Sequence, residues 1–129
     1  MRLRRILWAA MLTVLIAIPM AVVNGQGRTQ RPIAKMYIVQ LSETPAGSYA
    51  GGERGYAATR PAAGARFDRT QSHAVAYDRF LSGRHQKMLA EVGGARRAYS
   101  YRTAFNGFAA ELTDAQVAKL ASMPGVVAV

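Results

Sequence analysis

The order of strand-like and helix-like segments after residue 35 is the feature that most limits what this chain can fold into. Segments rich in β-branched and aromatic residues predict strands, and an apolar stripe at helical spacing predicts a helix. Four strands and two helices are predicted, in the order strand, helix, strand, strand, helix, strand. The strands cover 35–41, 96–103, 108–112 and 126–129, the long helix covers 72–92, and a short helix follows 113.

This order predicts an α+β fold of the ferredoxin-like βαββαβ type, in which a four-stranded antiparallel sheet carries two helices on one face. Asn106-Gly107, flanked by Phe105 and Phe108, predicts the hairpin between the second and third strands, because this dipeptide favours tight β-turns. With 129 residues, the chain comfortably supports one such domain at most.

The ends of the helices carry separate signals. Ser72 is predicted to cap the start of the long helix, and Gly93 allows the left-handed exit at its end. Thr113 and Gln116 have the spacing of a capping box, in which each residue satisfies a free amide of the other at the start of the short helix.

Residues 42–71 interrupt the pattern with a long loop after the first strand. This segment contains five Gly, seven Ala and two Pro, and only a few large apolar side chains. Neither helical nor alternating periodicity is present, so no regular element is predicted. A loop of this length in a small domain is expected to be either functional or mobile.

The first 25 residues predict a secretory signal peptide. A cationic stretch at 1–5, an uncharged apolar run at 6–23 and small polar residues follow one another in the order that such signals have. Cleavage is expected near Gly25, which leaves a basic leader at 26–34 and a domain at 35–129. The alternative is a retained anchor, since 18 apolar residues can just cross a bilayer. We expect a secreted protein, extracellular or periplasmic, that meets the membrane only through its export signal.

One face of the predicted sheet lacks a covering layer. Because both helices lie on the other face, strands should alternate apolar with polar residues, yet Met36 and Ile38 alternate with Tyr37 and Val39. The last strand is apolar on both faces. We call the uncovered side the open face and expect it to dock onto a partner. The alternatives are that the loop 42–71 folds back over it, or that these are ordinary isolated surface residues.

Catalytic chemistry is not indicated. The chain has no Cys, and His73 and His85, on one predicted helix, would lie about 18 Å apart, too far to share a metal. Asp68, Ser72 and His73 include the residue types of a hydrolytic triad, but neighbours in sequence seldom assemble one and no nucleophile elbow surrounds Ser72. We expect a protein that is not an enzyme and holds no cofactor or metal.

A nucleic-acid partner is not expected either. The net charge of +10 includes three arginines ahead of the apolar run, so the remainder is only moderately basic. RNA-recognition modules share the predicted topology and place two aromatic rings in the third strand. The chain matches that pattern at Gly107, Phe108 and Ala109 but has Ala110 where the second ring belongs. An RNA- or ligand-binding module on this fold is therefore a weak alternative.

Several of these segments resemble the propeptide of secreted subtilisin-like serine proteases (subtilases), a peptidase inhibitor of family nine. The matching segments are Tyr37-Ile38-Val39, Tyr101, the run from Phe105 to Thr113, and Pro124-Gly125-Val126. Residues 45–52 and 55–61 are similar to the inserted loop of large bacterial subtilases. The resemblance covers nearly all of 35–129.

The resemblance implies a function that agrees with the open face. Family propeptides lay this face over two helices of the protease domain, act as an intramolecular chaperone for its folding, and then remain as an inhibitor of the zymogen. The partner implied is thus a subtilisin-like serine protease domain, in cis or in trans. A free-standing subtilase inhibitor or chaperone is the alternative.

By position, the resemblance implies that the hairpin and the last strand contact the protease. The residues implied are Asn106, Gly107, Phe108, Ala109, Val126, Val127 and Val129. The family's acidic residues after the last strand, its cleft-filling tail and the protease Asp, His and Ser motifs are not found in this sequence. We therefore expect a fragment that lacks the protease domain, whose parent is a serine endopeptidase.

Overall fold

The computed structural model describes residues 31–129. The predicted signal peptide at 1–25 and the leader up to residue 30 lie outside these residues. The elements are β1 (Lys35–Leu41), α1 (Ser72–Glu91), β2 (Arg97–Tyr101), β3 (Gly107–Leu112), α2 (Asp114–Ala121) and β4 (Val126–Ala128). In residues 31–129 no helix is both long enough and apolar enough to cross a membrane.

The strands form one antiparallel sheet in the order β2-β3-β1-β4. With two helices packed against it, the architecture is the predicted α+β, ferredoxin-like fold. The core lies between the helices and one side of the sheet, where Val39, Phe108 and Leu112 pack with Met88 and Leu120. All five side chains are essentially inaccessible to solvent, so this side of the sheet is closed.

The hairpin between β2 and β3 is confirmed, but its turn is not where the Asn-Gly pair predicts it. Residues 102–106 form the connection, and Gly107 already pairs with Tyr101 as the first residue of β3. Gly107 is not among the glycines with positive φ, so it does not adopt the left-handed conformation of a type I′ turn. Asn106 instead turns its side chain into the protein interior.

Capping was predicted correctly for α2 and wrongly for the start of α1. Thr113 and Gln116 form the expected capping box, with the Gln116 amide donating to Thr113 Oγ1 at 3.3 Å. Ser72 does not cap α1, because it is already the first residue of the helix. Gln71 occupies the cap position and makes no side-chain hydrogen bond there. Gly93 has the expected φ of 84° after the helix end.

The loop 42–71 contains no helix or strand, yet it packs as a second small core against α1. The Tyr49 ring stacks on the Tyr77 ring with 3.8 Å between centroids, and Leu81 lies in the same cluster. Thr59 Oγ1 donates to the Ala46 carbonyl at 2.5 Å, which closes the loop on itself. The alternative that this loop covers the open face is wrong, because it lies against the helix side while the open face stays exposed.

Candidate functional site

The open face consists of the side chains that point away from the helices. In β1, Met36 and Ile38 are 51% and 57% exposed, whereas Val39, the residue after Ile38, is fully buried. Tyr99 in β2 is 65% exposed and Val127 in β4 is 59% exposed. Exposed apolar side chains therefore occur on both edges and in the middle of the sheet, on the side that the sequence predicts to be uncovered.

Small residues form the centre of this face. Ala109 lies opposite Ile38 on one side and Tyr99 on the other. Residues directly opposite one another in antiparallel strands share a face, so Ile38, Ala109 and Tyr99 form a row across the sheet. Ala109 itself is only 3% exposed, so the larger side chains beside it cover most of this residue.

Gly107 is needed where the face meets the hairpin. A Cβ at this position would lie 2.2 Å from the Val39 carbonyl oxygen and 2.6 Å from Cε1 of the Phe105 ring. Phe105 thus covers Gly107 and packs edge-on against Tyr101, with 6.0 Å between ring centroids. Tyr101 also stacks on Tyr99, so the rings of Tyr99, Tyr101 and Phe105 form an aromatic border along this edge of the open face.

The structure places the site residues implied by the resemblance on both sides of the sheet. Gly107 and Ala109 lie on the open side of the sheet but are buried there by their neighbours, while Val127 and Val129 are 59% and 37% exposed. Asn106 and Phe108 are buried on the helix side, and Val126 is half-buried against the core. Contact of these residues with a protease stays a prediction.

Four exposed residues of this face are absent from the implied site: Met36, Ile38, Tyr99 and Tyr101. The sequence contained a signal for each, since β1 is apolar at alternate positions and the β2 tyrosines are two residues apart. Strict alternation along β2 would place Arg97 on the same side of the sheet as Tyr99, and the structure departs from it. Arg97 pairs with Ala110 while Tyr99 pairs with Ala109, so a bulge at Ala98 turns Arg97 to the helix side.

A buried polar network holds the hairpin against α1 behind the open face. His85 Nε2 donates to Asn106 Oδ1 at 2.8 Å, and Asn106 Nδ2 donates to the Glu43 carbonyl at 2.9 Å. Since an amide oxygen only accepts, His85 carries its proton on Nε2 and accepts at Nδ1 from the Ser100 hydroxyl at 2.7 Å. Arg102 donates to Ser100 Oγ at 2.6 Å, which completes a chain of directed hydrogen bonds.

Burial and the neighbouring arginines favour a neutral histidine. Burial lowers the pKa of His85, the hydrogen bond with Asn106 opposes this shift, and the positive charges of Arg102 and Arg97 reinforce it. The Glu43 carboxylate, which raises the pKa, is itself paired with Arg84 at 2.5 Å. The arrangement holds the backbone in place and offers no reacting atom, because His85 is fully buried.

Within residues 31–129, no three potential metal-ligating side chains are grouped together.

The structure is thus a small α+β domain that leaves apolar side chains exposed on one side of its sheet. Residues 36–129 match the family described as peptidase inhibitor I9, so the chain belongs to the peptidase inhibitor I9 family. Its I9 domain is an inhibitor domain and not a catalytic one. The family predicted from the sequence is confirmed at this level, while a bacterial origin stays a prediction.

The curated relatives are longer proteins. Subtilisin-like proteases SBT2.5 and SBT2.6 of Arabidopsis thaliana are 36% and 34% identical over 96 residues, which are 72% of this chain and 12% of each relative. Subtilisin-like protease SBT3.5 of the same plant is 45% identical over 54 residues, or 37% of this chain and 7% of the relative. The chain thus matches about an eighth of the length of SBT2.5 and SBT2.6. No solved structure matches.

Proposed function

We propose that residues 35–129 act as the propeptide of a secreted subtilisin-like serine protease, inhibiting the protease domain and assisting its folding. The observation that carries this proposal is the open face, which leaves Ile38 and Tyr99 more than half exposed in the middle and at one edge of the sheet. The I9 family and the subtilisin-like relatives support a protease as the partner.

The physical basis of inhibition is burial of the open face. Apolar side chains on a rigid sheet bury surface at about 25 cal/mol per Å² of apolar area, and a preformed sheet loses little conformational freedom on binding. The same surface presents a fixed template to a partially folded protease domain, which explains how one module both inhibits and assists folding.

Export and parentage belong to the same proposal. The signal-like sequence of residues 1–25 supports secretion, and the loop 42–71 supports a large bacterial subtilase as the parent. The coding sequence after the codon for Val129 distinguishes a module acting in cis from one acting in trans. An open frame with protease Asp, His and Ser motifs supports the first, and a stop codon supports the second.

Titration of the full 129-residue chain against the protease domain of a subtilisin-like relative tests the proposal. We expect weak, concentration-dependent inhibition of peptide hydrolysis, because the open face anchors the chain on the protease but does not itself enter the substrate cleft. Ile38→Glu places a charge in the middle of this face and should raise the inhibition constant at least tenfold. The residue is 57% exposed, so the substitution should leave the fold intact by circular dichroism.

Ile33→Glu is the matched control, since Ile33 is 78% exposed and precedes β1. It makes the same chemical change outside the open face and should leave the inhibition constant unchanged. Absence of inhibition across several subtilisin-like protease domains, or equal inhibition by Ile38→Glu and the parent chain, contradicts the proposal.

A further inference from the structure

A second surface feature lies away from the centre of the open face, between the start of α1 and the edge strand β2. It is a groove of about 580 Å³, which we call the arginine groove. Its apolar lining comes from Phe67 at the end of the long loop, Ala74 and Val75 on α1, and Phe105 in the hairpin connection. An elongated ligand with apolar side chains therefore finds a surface to contact.

The charge of the arginine groove is positive. Arg69, Arg79 and Arg102 line it, and Asp78 is the one acidic residue in the lining. Asp78 is already paired with Arg102 at 2.8 Å. Within residues 31–129, Arg69 and Arg79 have no carboxylate within 4.0 Å. Two exposed guanidinium groups are thus free to pair with carboxylates of a ligand.

Besides its apolar lining and its positive charge, the arginine groove lies beside the backbone of an edge strand, β2. β2 is at the edge of the sheet and has β3 as its one strand neighbour in the described chain. Ser100 and Tyr101 of this strand line the groove. Edge strands can accept an additional extended segment through main-chain hydrogen bonds, with specificity coming from the side-chain pockets alongside. The loop 42–71 uses the carbonyls of Arg102 and Thr103, which lie beyond the end of the strand.

We propose that the arginine groove binds an extended acidic peptide segment of a partner protein. The segment lies along β2 as an added strand, places carboxylates at Arg69 and Arg79, and places apolar side chains against Phe67 and Phe105. This proposal does not rest on the open face or on protease inhibition, because the free arginines lie in the groove and not on the open face.

Fluorescence anisotropy with the full 129-residue chain and a labelled octapeptide of alternating Glu and Val tests the proposal. We expect saturable binding that Arg69→Glu/Arg79→Glu weakens at least tenfold. Both arginines are exposed, so the double substitution should not disturb the core. Arg54→Glu/Arg60→Glu makes the same change of charge at exposed loop positions outside the groove and should weaken binding less than threefold.

Equal loss in the two double variants would show a response to net charge alone and overturn the proposal. Equal or tighter binding of octaglutamate, or of an RNA oligonucleotide, would also overturn it, because neither ligand has apolar side chains for the groove. Amide chemical shifts give a second measurement. Changes at Val75 and Ser100 support the groove, and changes confined to Ile38 and Val127 place the peptide on the open face and refute it.

Discussion

Gly107 shows how one residue can fix the geometry of both sides of the sheet. The space that a Cβ would need is occupied by the Val39 carbonyl and the Phe105 ring. A carbonyl belongs to the backbone and cannot rotate away, so Gly107→Ala must displace β1 from β3. We expect the free energy of unfolding to fall by about 2 kcal/mol, the usual cost of overpacking, as measured by urea denaturation.

Gly83→Ala provides the opposite outcome from the same chemical change. Gly83 lies inside α1, and apart from its chain neighbours and the nearby backbone of its own helix, no atom lies within 4 Å of the added methyl group. Because Ala is the better helix former, this variant should raise the free energy of unfolding by about 1 kcal/mol. If Gly107→Ala is as stable as the parent, the close contact between β1, β3 and Phe105 is not present in solution.

Asn106 illustrates why the hairpin was predictable and its turn was not. An Asn-Gly pair favours a two-residue turn when only local geometry counts. Here the Asn106 side chain bonds to His85 and Glu43, which are 21 and 63 residues away in sequence. These distant partners hold Asn106 inward and lengthen the connection to residues 102–106. No single-sequence pattern contains that information.

Among the elements, those with local signals were predicted well. β1 was predicted with its observed bounds. The start of α2 was predicted from its capping box, because Thr113 and Gln116 are only three positions apart and form a local signal. The bulge at Ala98 was not predicted, since it exists only in the pairing of β2 with β3. The packing of the loop 42–71 was not predicted either, because its tyrosines are ordered by contacts with α1 that the Gly- and Ala-rich sequence does not indicate.

The loop 42–71 is expected to contribute to stability through Tyr49. Its ring stacks on Tyr77, and its hydroxyl accepts from the Glu53 amide at 2.7 Å. Burial raises the pKa of Tyr77, whose hydroxyl donates to the Thr44 carbonyl at 2.8 Å. Tyr49→Ala should therefore lower the free energy of unfolding by about 3 kcal/mol, as measured by thermal or urea denaturation.

Tyr99→Ala is the matched control for the loop. Tyr99 is 65% exposed on the open face, so removing its ring should change stability by less than about 0.5 kcal/mol. A mobile loop predicts that Tyr49→Ala is equally mild, and that result would contradict the packed arrangement of the second core.

At the scale of the whole molecule, the domain has one closed and one open side. The open face was predictable, because two helices cover one side of a sheet and the strands were apolar on both. The arginine groove was not predictable, because Arg69, Arg79 and Arg102 come together only when α1 packs beside β2. A surface such as the open face can be derived from the sequence, because it depends only on how many helices are available to cover the sheet. A surface such as the arginine groove cannot, because it depends on how distant segments pack together.

His85 connects α1 to the sheet and makes the stability of the whole domain depend on pH. It lies on α1, bonds to Ser100 in β2 and to Asn106 before β3, and reaches the loop through Glu43. Its pKa is below the ordinary value of 6.5 in the folded state. Between these two values the unfolded chain binds a proton that the folded chain does not, so protons favour unfolding.

The free energy of unfolding should therefore be constant with respect to this group well above pH 6.5 and fall as the pH is lowered through 6.5 towards the folded pKa. The slope is at most about 1.4 kcal/mol per pH unit for one group. Urea denaturation between pH 5 and pH 8 measures it.

His85→Gln keeps a donor and an acceptor but cannot titrate, so its profile should be flatter in this window. His73→Gln removes the other histidine, leaves the buried network intact and should retain the parent slope. A parent profile that is flat from pH 8 to pH 5, or a slope that His73→Gln abolishes and His85→Gln preserves, would show that His85 is not the group that couples protons to folding.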